Sequence, residues 1–544
     1  MLNVEVIFKW NAYRYFPYER ILAARELQSL FGTSPIPSKH GLAITVSDMW
    51  EDSALRATYF KEAISEKGAR VIPSQTIIEA YSNGNRERIN LADISTIDLR
   101  RQSTRYSAHG IHEYKGKFNP QMMRAIANML GIKQGQLLLD PFCGSGTSLL
   151  EASLNGWNAV GIDINPLGVE IAKAKLAAHR IPAEVLNSNI ERLIAKLMAK
   201  EAIIINNCKP FSKAEIIKLV GKNWQPKLPC YNYLSNWFSE SVLAQLLTIT
   251  KKISDLKNDD VQLILRIILS DLLRDVSQQN PSDLRIRRRK VLIENMPVIS
   301  KFISAVNSKI SSILAAKEVT SAWSSKQYAI LGDIRDSSSF RKQLDDAFPS
   351  QSFDAAITSP PYATALPYID TQRLSLVLLN LINADQIRQT EKRLIGNREI
   401  SNRERLNIEA SIVNNRNNLP DECISICREL IDAIDIENDG FRKKNIPALL
   451  YQYFTDMGAM FANVNNALKR GAPYALIVGK NTTRLGEKNF VIDTPLFLSK
   501  LSEQYGFAVE EIIKLDTYHR YDMHHGNSIR SESLVILRAH SHES

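Results

Sequence analysis

No stretch of the 544 residues reaches about 18 uninterrupted apolar residues, the length a membrane-crossing helix needs, so no membrane span is expected. Cysteine is scarce as well. Cys143, Cys208, Cys230, Cys423 and Cys427 are odd in number and scattered, which argues against a disulfide framework and for reduced thiols in a cytoplasm. Cys423 and Cys427 stand one helical turn apart, but no histidine or further cysteine pair completes a zinc set, and no metal is expected. The opening MLNVEVIFKWNAYRYFPYER has charges and aromatics where a secretory leader needs an apolar run and a small-residue cleavage site, so none is expected. Repeats and low-complexity segments are also missing. With 44% hydrophobic and 23% charged residues, the composition is that of a folded globular chain and excludes fibrous or disordered classes.

Positive charge, by contrast, is in excess. The net charge of +10 raises the weight of a polyanionic partner. Two tracts concentrate it: Arg285, Arg287, Arg288, Arg289 and Lys290 within six residues, and a run through Arg388, Lys392, Arg393, Arg398, Arg403 and Arg405. A solvated surface is the ordinary fate of either tract taken alone.

Residues 1–100 mix aromatic and helical patterns and carry no chemical motif, so their role is left open. From about residue 101 an alternation begins. QMMRAIANML reads as a helix, QLLLD as a buried strand, GTSLLEASLNG as a helix, NAVGID as a second strand and PLGVEIAKAKLAAHR as another helix. Such a run is a right-handed βαβ unit of a doubly wound sheet. It is interrupted at 185–325 by a helical segment containing SVLAQLLTITKKISDL and DDVQLILRIILSDLLRDV, and resumes with QYAILGD and FDAAITS over 326–381. A second, polar helical insertion is expected at 382–440. The strands YALIVG, FAVEEIIKL and SLVILRA follow in 441–544.

In LLLDPFCGSGTSLLEA, Gly144 and Gly146 stand in the turn between strand and helix, where backbone must approach a ligand closely and φ can be positive. The next strand ends in GIDINP, which places Asp163 about twenty residues on, where a carboxylate can accept both hydroxyls of a ribose. The dinucleotide fingerprint asks for a third glycine, and this chain has Leu149 there. That favours a neutral or cationic ligand, such as the adenosine and methionine portions of S-adenosylmethionine, over a pyrophosphate.

DPFCGSGT, then GIDINP, then TSPPY resemble the amino-group DNA methyltransferases, which methylate cytosine-N4 or adenine-N6. The similarity extends to HGIHEYKGKFNPQMM before the glycine turn, to GDIRD, to GKNTTRLG and to a closing hairpin with Glu532, and so covers roughly residues 100–540. It implies a Rossmann-like class I methyltransferase sheet with large helical insertions, and S-adenosylmethionine as cofactor. The cofactor-binding set it implies is His112, Lys117, Phe118, Asp140, Pro141, Phe142, Gly144, Gly146, Thr147, Asp163, Ile164 and Asp333. Within that set the Asp140 region, Phe142 and Gly144 take the methionine end, Asp163 the ribose and Asp333 the adenine amino group.

The corner Ser359-Pro360-Pro361-Tyr362 ends the strand FDAAIT. Proline fixes φ and pushes its predecessor to extended geometry, so the corner is rigid. An exocyclic amine is a poor nucleophile because its lone pair is delocalised into the ring. If Ser359 Oγ and the Pro360 carbonyl accept its two hydrogens, the lone pair is released towards a methyl donor, by positioning and preorganised dipoles alone. Tyr362 would stack on a base swung out of the duplex. Serine at the first position resembles the cytosine-N4 subgroup, with adenine-N6 as the alternative, then an RNA base, then a non-catalytic nucleic-acid-binding regulator. Carbon-5 methylation needs a cysteine nucleophile after a proline, and Pro229-Cys230 lies in the helical insertion, away from any strand end. The expected partners are double-stranded DNA, held by Arg285, Arg287, Arg288, Arg289, Lys290 and Arg398, and a cognate restriction endonuclease or other defence-system protein. The segment HRYDMHHG, with His519, Arg520, His524 and His525, is a further candidate DNA-facing loop.

Overall fold

A computed structural model of the chain describes residues 3–85, 99, 102–205, 212, 214–215, 231–280, 287–321, 323–349, 351–363, 368–398, 400–516 and 531–540. Arg285, the Pro229-Cys230 pair and the 519–525 histidine segment fall outside them.

The first 71 residues hold strands beyond the mixed aromatic and helical patterns expected there: β1 (Asn3–Trp10), β2 (Ile36–Ser38), β3 (Gly41–Ser47), β4 (Phe60–Ser65) and β5 (Arg70–Val71). Along β1, Val4, Val6 and Phe8 are buried while Asn3 and Glu5 are exposed, the period-two pattern of a sheet with one covered face. Every pairing is antiparallel, in the order β2-β3-β1-β4-β5. Helix α1 (Pro17–Phe31) follows β1, opened by proline at its first turn and stopped by Gly32 at φ +74°. The short helix Glu51–Arg56 separates β3 from β4, which completes a split βαβ arrangement.

The second sheet is the expected one. Its strands are β6 (Leu137–Asp140), β7 (Asn158–Asp163), β8 (Gln327–Leu331), β9 (Ala355–Thr358), β10 (Pro473–Gly479), β13 (Phe507–Asp516) and β14 (Ser531–Ala539); a separate hairpin of β11 (Asn481–Leu485) and β12 (Lys488–Ile492) follows β10. The order is β8-β7-β6-β9-β10-β14-β13. The first five strands are parallel, and β14 runs antiparallel to both its neighbours. This is the class I methyltransferase topology, with strand order 3-2-1-4-5-7-6. All four residues of β6 and all seven of β10 are buried, as unbroken apolar runs must be in a sheet covered on both faces.

Helix α2 (Pro120–Met129) precedes β6, α3 (Thr147–Asn155) follows it, and α4 (Pro166–Arg180) follows β7. The first insertion is helical where described, with α5 (Glu240–Ser254), α6 (Asp259–Val276) and α7 (Val298–Glu318) at its centre. Its core is continuous with α4 through residues such as Ile171, Ala174, Leu265 and Ile268. Helix α8 (Tyr368–Leu378) follows the proline corner and joins that core. The second insertion contains the helices Ile387–Lys392, Asn402–Val413 and Asp421–Asp432; the first joins the core of α8, and the other two pack with α9 (Ile446–Ala467) on the other face of the sheet. The N-terminal sheet, α1 and α2 share one core with the methyltransferase sheet, running from Phe8 and Leu22 through Ile126 to Ile477 and Leu534. Among the described residues no helix is long and apolar enough to cross a membrane, and no cluster of His, Cys, Asp and Glu could hold a metal.

Candidate active site

The carboxyl ends of β8, β7, β6 and β9 lie side by side, and the strand order reverses between β6 and β9, where ligands bind in open α/β sheets. The turns after these four strands line one cleft. The glycine turn supplies Pro141, Phe142 and Gly144; the β7 end supplies Asp163, Ile164 and Asn165; the β8 end supplies Gly332, Asp333, Ile334 and Arg335; the proline corner supplies Ser359 and Pro361. Glycine turn and proline corner therefore face one cavity.

The glycine turn is tight for identifiable reasons. Gly144 has φ +47° and Gly146 φ +72°, both left-handed. A Cβ on Gly146 would lie 2.5 Å from Ala172 Cβ, so the turn can sit this close to α4 only without a side chain. Asp163 fastens the turn from the neighbouring strand: Oδ2 accepts from the Gly144 N–H at 2.8 Å and Oδ1 from the Asn165 N–H at 2.8 Å. A carboxylate oxygen has a second lone pair, so each can still accept a ribose hydroxyl. Burial pushes Asp163 up to about 6, against those hydrogen bonds.

Asp140 does not line the cleft. It is 4% exposed, and its carboxylate accepts from Thr358 Oγ1 (2.6 Å), from the Phe142 N–H (3.1 Å) and from Ser148 Oγ. Three elements, β9, the glycine turn and α3, are thereby tied to the tip of β6, which sets the gap between the two loops. Burial pushes this carboxyl up to about 6 as well. Gly146 and Thr147 lie beneath the turn at the start of α3.

Asp333 is gripped by Arg335, whose Nε (2.9 Å) and terminal nitrogen (2.7 Å) form a bidentate fork on it. The same guanidinium reaches Asp456 of α9 (3.0 Å) and the Arg393 carbonyl of the second insertion (2.6 Å). Burial raises Asp333, but the hydrogen bonds and charge of Arg335 outweigh it and hold the carboxyl below its ordinary value. Through this joint Arg393, Leu394 and Ile395 become part of the cleft wall. Tyr114 and Gly116 complete it, with Tyr368 stacked on Tyr114 at 6.4 Å between centroids.

In the proline corner Ser359 is partly exposed, and its Oγ donates to the Ile477 carbonyl at 3.3 Å. Pro360 is buried. Tyr362 stands outside the cleft lining and donates its hydroxyl to Glu532 Oε1 on β14 at 2.7 Å.

His112, Lys117 and Phe118 line a second, larger cavity next door, between the 104–119 segment, α6, α7 and α8. His112 bonds Ser270 Oγ (2.9 Å) and the Glu113 carbonyl (2.6 Å), and burial lowers its pKa. Lys117 donates to the carbonyls of Thr104 (2.9 Å) and His109 (3.1 Å); burial and the nearby Arg105 push it down to about 7. The basic tract lies beside this cavity. Arg288 donates to the Asn236 carbonyl (2.7 Å) and sits over the Trp237 ring, while Arg289 donates to the carbonyls of Ser277 and Asp275. Those two guanidiniums hold the segment against the insertion's helices; Arg287, Arg288 and Lys290 are exposed, as is Arg398 in the second insertion.

Sequence reasoning missed Tyr114, Gly116, Asn165 and Arg335, although each lies within a few residues of a motif position. It had no signal for Arg393, Leu394 and Ile395, which reach the cleft only through folding.

Parts of the chain are similar to known methyltransferases. A family described as UPF0020: RMKL-like, methyltransferase domain, matches residues 111–211, which hold the glycine turn and Asp163. The chain is 26% identical over 314 residues to the Type II methyltransferase M.MvaI of Kocuria varians, a match that takes in 55% of this chain and 64% of that protein, just under two thirds of it. It is 24% identical over 425 residues to the Type II methyltransferase M.AvaI of Nostoc sp., over 74% of this chain and 80% of that one. It is also 40% identical over 81 residues to a tRNA (guanine(10)-N2)-dimethyltransferase of Methanothermobacter thermautotrophicus, 15% of this chain and 24% of that one. Residues 111–211 thus match a methyltransferase domain, and that match and the fold together imply S-adenosylmethionine as methyl donor. The residues present fit that group: a closely approachable glycine floor at Gly144, the Asp163 carboxylate with a lone pair left on each oxygen, and a second carboxylate at Asp333, all lining one cleft.

Proposed function

We propose that the protein is a site-specific DNA methyltransferase that modifies the exocyclic N4 of cytosine, in a restriction-modification or phage-defence setting. The observation that carries this reading is the state of Ser359. Its hydroxyl proton is committed to the Ile477 carbonyl, so the lone pairs of Oγ are left to accept, in the cleft shared with Gly144 and Asp163. An acceptor is what an exocyclic amine requires, since both of its hydrogens must be held before its lone pair can be localised.

In this reading Ser359 Oγ and the Pro360 carbonyl receive the two amine hydrogens, and Pro361 keeps the corner from yielding. Tyr362, anchored through Glu532, takes the stacking role against a base that has left the duplex. Asp163 holds the ribose and Asp333 the adenine amino group; Tyr114 and Tyr368 close the cleft against water. The bound cofactor supplies an electrophilic methyl sulfonium. No residue needs to form a covalent intermediate, because the amine nitrogen is itself the nucleophile once its hydrogens are held.

Adenine-N6 is the second reading on DNA, since a serine acceptor serves either amine. The local likeness to a tRNA dimethyltransferase keeps an RNA base as the third. One experiment separates all three: incubation of the purified protein with methyl-labelled S-adenosylmethionine and mixed DNA or RNA, followed by nucleoside mass spectrometry. N4-methylcytosine in DNA is expected. N6-methyladenine, or label in RNA only, would transfer the assignment, and no labelled nucleoside at all would overturn it.

A further inference from the structure

The second cavity holds about 700 Å³, in the upper part of the ~300–1,000 Å³ range of small-molecule pockets. Its wall carries Arg105, Lys115, Lys117, Arg274 and Lys309 against Glu113, Asp271 and Asp275. Two of those carboxylates are already matched within the wall, Glu113 by Lys115 and Asp271 by Lys309, each at 2.6 Å. Lys117 makes no ion pair among the described residues; it donates to the carbonyls of Thr104 and His109. The balance is positive, and in a recess walled by protein such a charge attracts anions more strongly than on a flat surface.

One further feature lies in the same wall. Gln279, 1% exposed, has an Nε2 donor with no hydrogen-bond partner. Buried polar atoms left without partners are rare in a finished fold. Gln279 is also bridged to Arg288, so the exposed cations Arg287 and Lys290 stand at the edge of this wall. On the opposite side, Tyr114 and Gly116 belong to both chambers, and Tyr368 of the cleft is followed on α8 by Thr371, Gln372 and Ser375 of the cavity.

We infer that this cavity seats the sugar–phosphate backbone of the polynucleotide strand that carries the target base, leading it from the basic edge at Arg287–Lys290 to the wall shared with the cleft. The inference rests on the proposed methylation of a polynucleotide base and adds where the strand lies. A phosphodiester strand has the anionic charge and the acceptor oxygens that the cavity's cations and unpaired donor call for. DNA and RNA share that chemistry.

The test uses the full chain, with Arg105→Gln as the principal variant because Arg105 is exposed, and Gln279→Leu as the second. Dissociation constants are measured for single-stranded DNA, duplex DNA and single-stranded RNA of one sequence across a salt series, beside cofactor affinity measured calorimetrically. For Arg105→Gln the log–log salt slope should fall by about 0.7 on single strands and about 0.9 on duplex, one phosphate contact. Affinity should drop roughly 3–10-fold for each variant while cofactor affinity is unchanged, and the nucleic acid showing the loss identifies the source. Unaltered affinity and slope in both variants would overturn the inference even if the protein methylates DNA. The loss of affinity, in a protein that methylates no nucleic acid, would support the cavity's role and remove the proposed function instead.

Discussion

At the scale of single residues, the functional reading concentrates on one hydroxyl and one carboxylate. In the proposed reaction, replacing Ser359 by alanine removes an acceptor used only when the amine is being activated. The turnover of nucleic-acid methylation should fall by about 10²-fold, the cost typical of removing one preorganised dipole, with cofactor affinity intact. Rapid-quench methylation assays beside calorimetry check both halves. Asp163 makes a different demand. Its pKa of about 6 lies above the ordinary 3.8, so the fold favours the acid form: the stability this group contributes is present below about pH 4 and is lost as pH rises through 6. Ribose recognition needs the other form. Cofactor affinity should therefore weaken as pH falls below about 6, approaching tenfold per unit, and Asp163→Asn should bind weakly with that dependence flattened. Asp140 titrates in the same range without lining the cleft, so any slope left in the asparagine variant reports Asp140. Calorimetric titration from pH 5 to 8 decides it.

At the scale of elements, the parts that could be read from the sequence are those whose physics is local. The glycine turn, Asp163 and the proline corner each occupy a few consecutive residues between a strand and its successor, and their buried apolar runs mark the strands around them. The basic tract was legible as charge but not as partnership, because Arg288 and Arg289 turn inward to carbonyls and a tryptophan ring brought close only by the folded insertion. The wall at Arg393–Ile395 was invisible because Arg335 and the Arg393 carbonyl it holds lie 58 residues apart. Arg335 is the joint between them, with Asp333, Asp456 and Arg393 on one planar group. Arg335→Gln should loosen that wall and leave two carboxylates without their shared counter-charge. Cofactor affinity is expected to fall roughly tenfold, about 1.4 kcal/mol, with a lower melting temperature. Equal affinity in wild type and variant would show that the second insertion is only a neighbour of the cleft.

At the scale of the whole molecule, the N-terminal segment changes status. Its sequence lacks chemical motifs; the alternation of Val4, Val6 and Phe8 was a strand signal left unread, and the placement of the sheet depends on a core assembled from distant residues. The fold puts that sheet, α1 and α2 in one core with the catalytic sheet. The seam carries Arg25–Glu511 at 2.5 Å, Asn128 Nδ2 to Glu26 at 2.8 Å, and Arg56 to both Asn128 Oδ1 (2.8 Å) and the Ile132 carbonyl (2.5 Å). Burial raises the Glu26 carboxyl, and the hydrogen bonds from Thr58 and Asn128 only partly offset this. Removing residues 1–99 would expose the buried faces of Met123, Ile126 and Ala127 to water. The truncated chain should accordingly be aggregated or unstable instead of an active catalytic fragment, and the intact protein should melt in a single transition. Soluble yield and differential scanning calorimetry test both statements.

The placement of β6 has a consequence for synthesis. This strand pairs on one side with β7, which leaves the ribosome soon after it, and on the other with β9, which begins about 215 residues later. At ~5–20 residues per second, a nascent chain waits roughly 10–40 s with one edge of its innermost strand bare. For that interval the central ribbon of the future enzyme is an open template for β-pairing with any neighbouring chain. The protein's cellular yield should thus depend on chaperones that shield the growing chain, more than the stability of the finished fold would suggest.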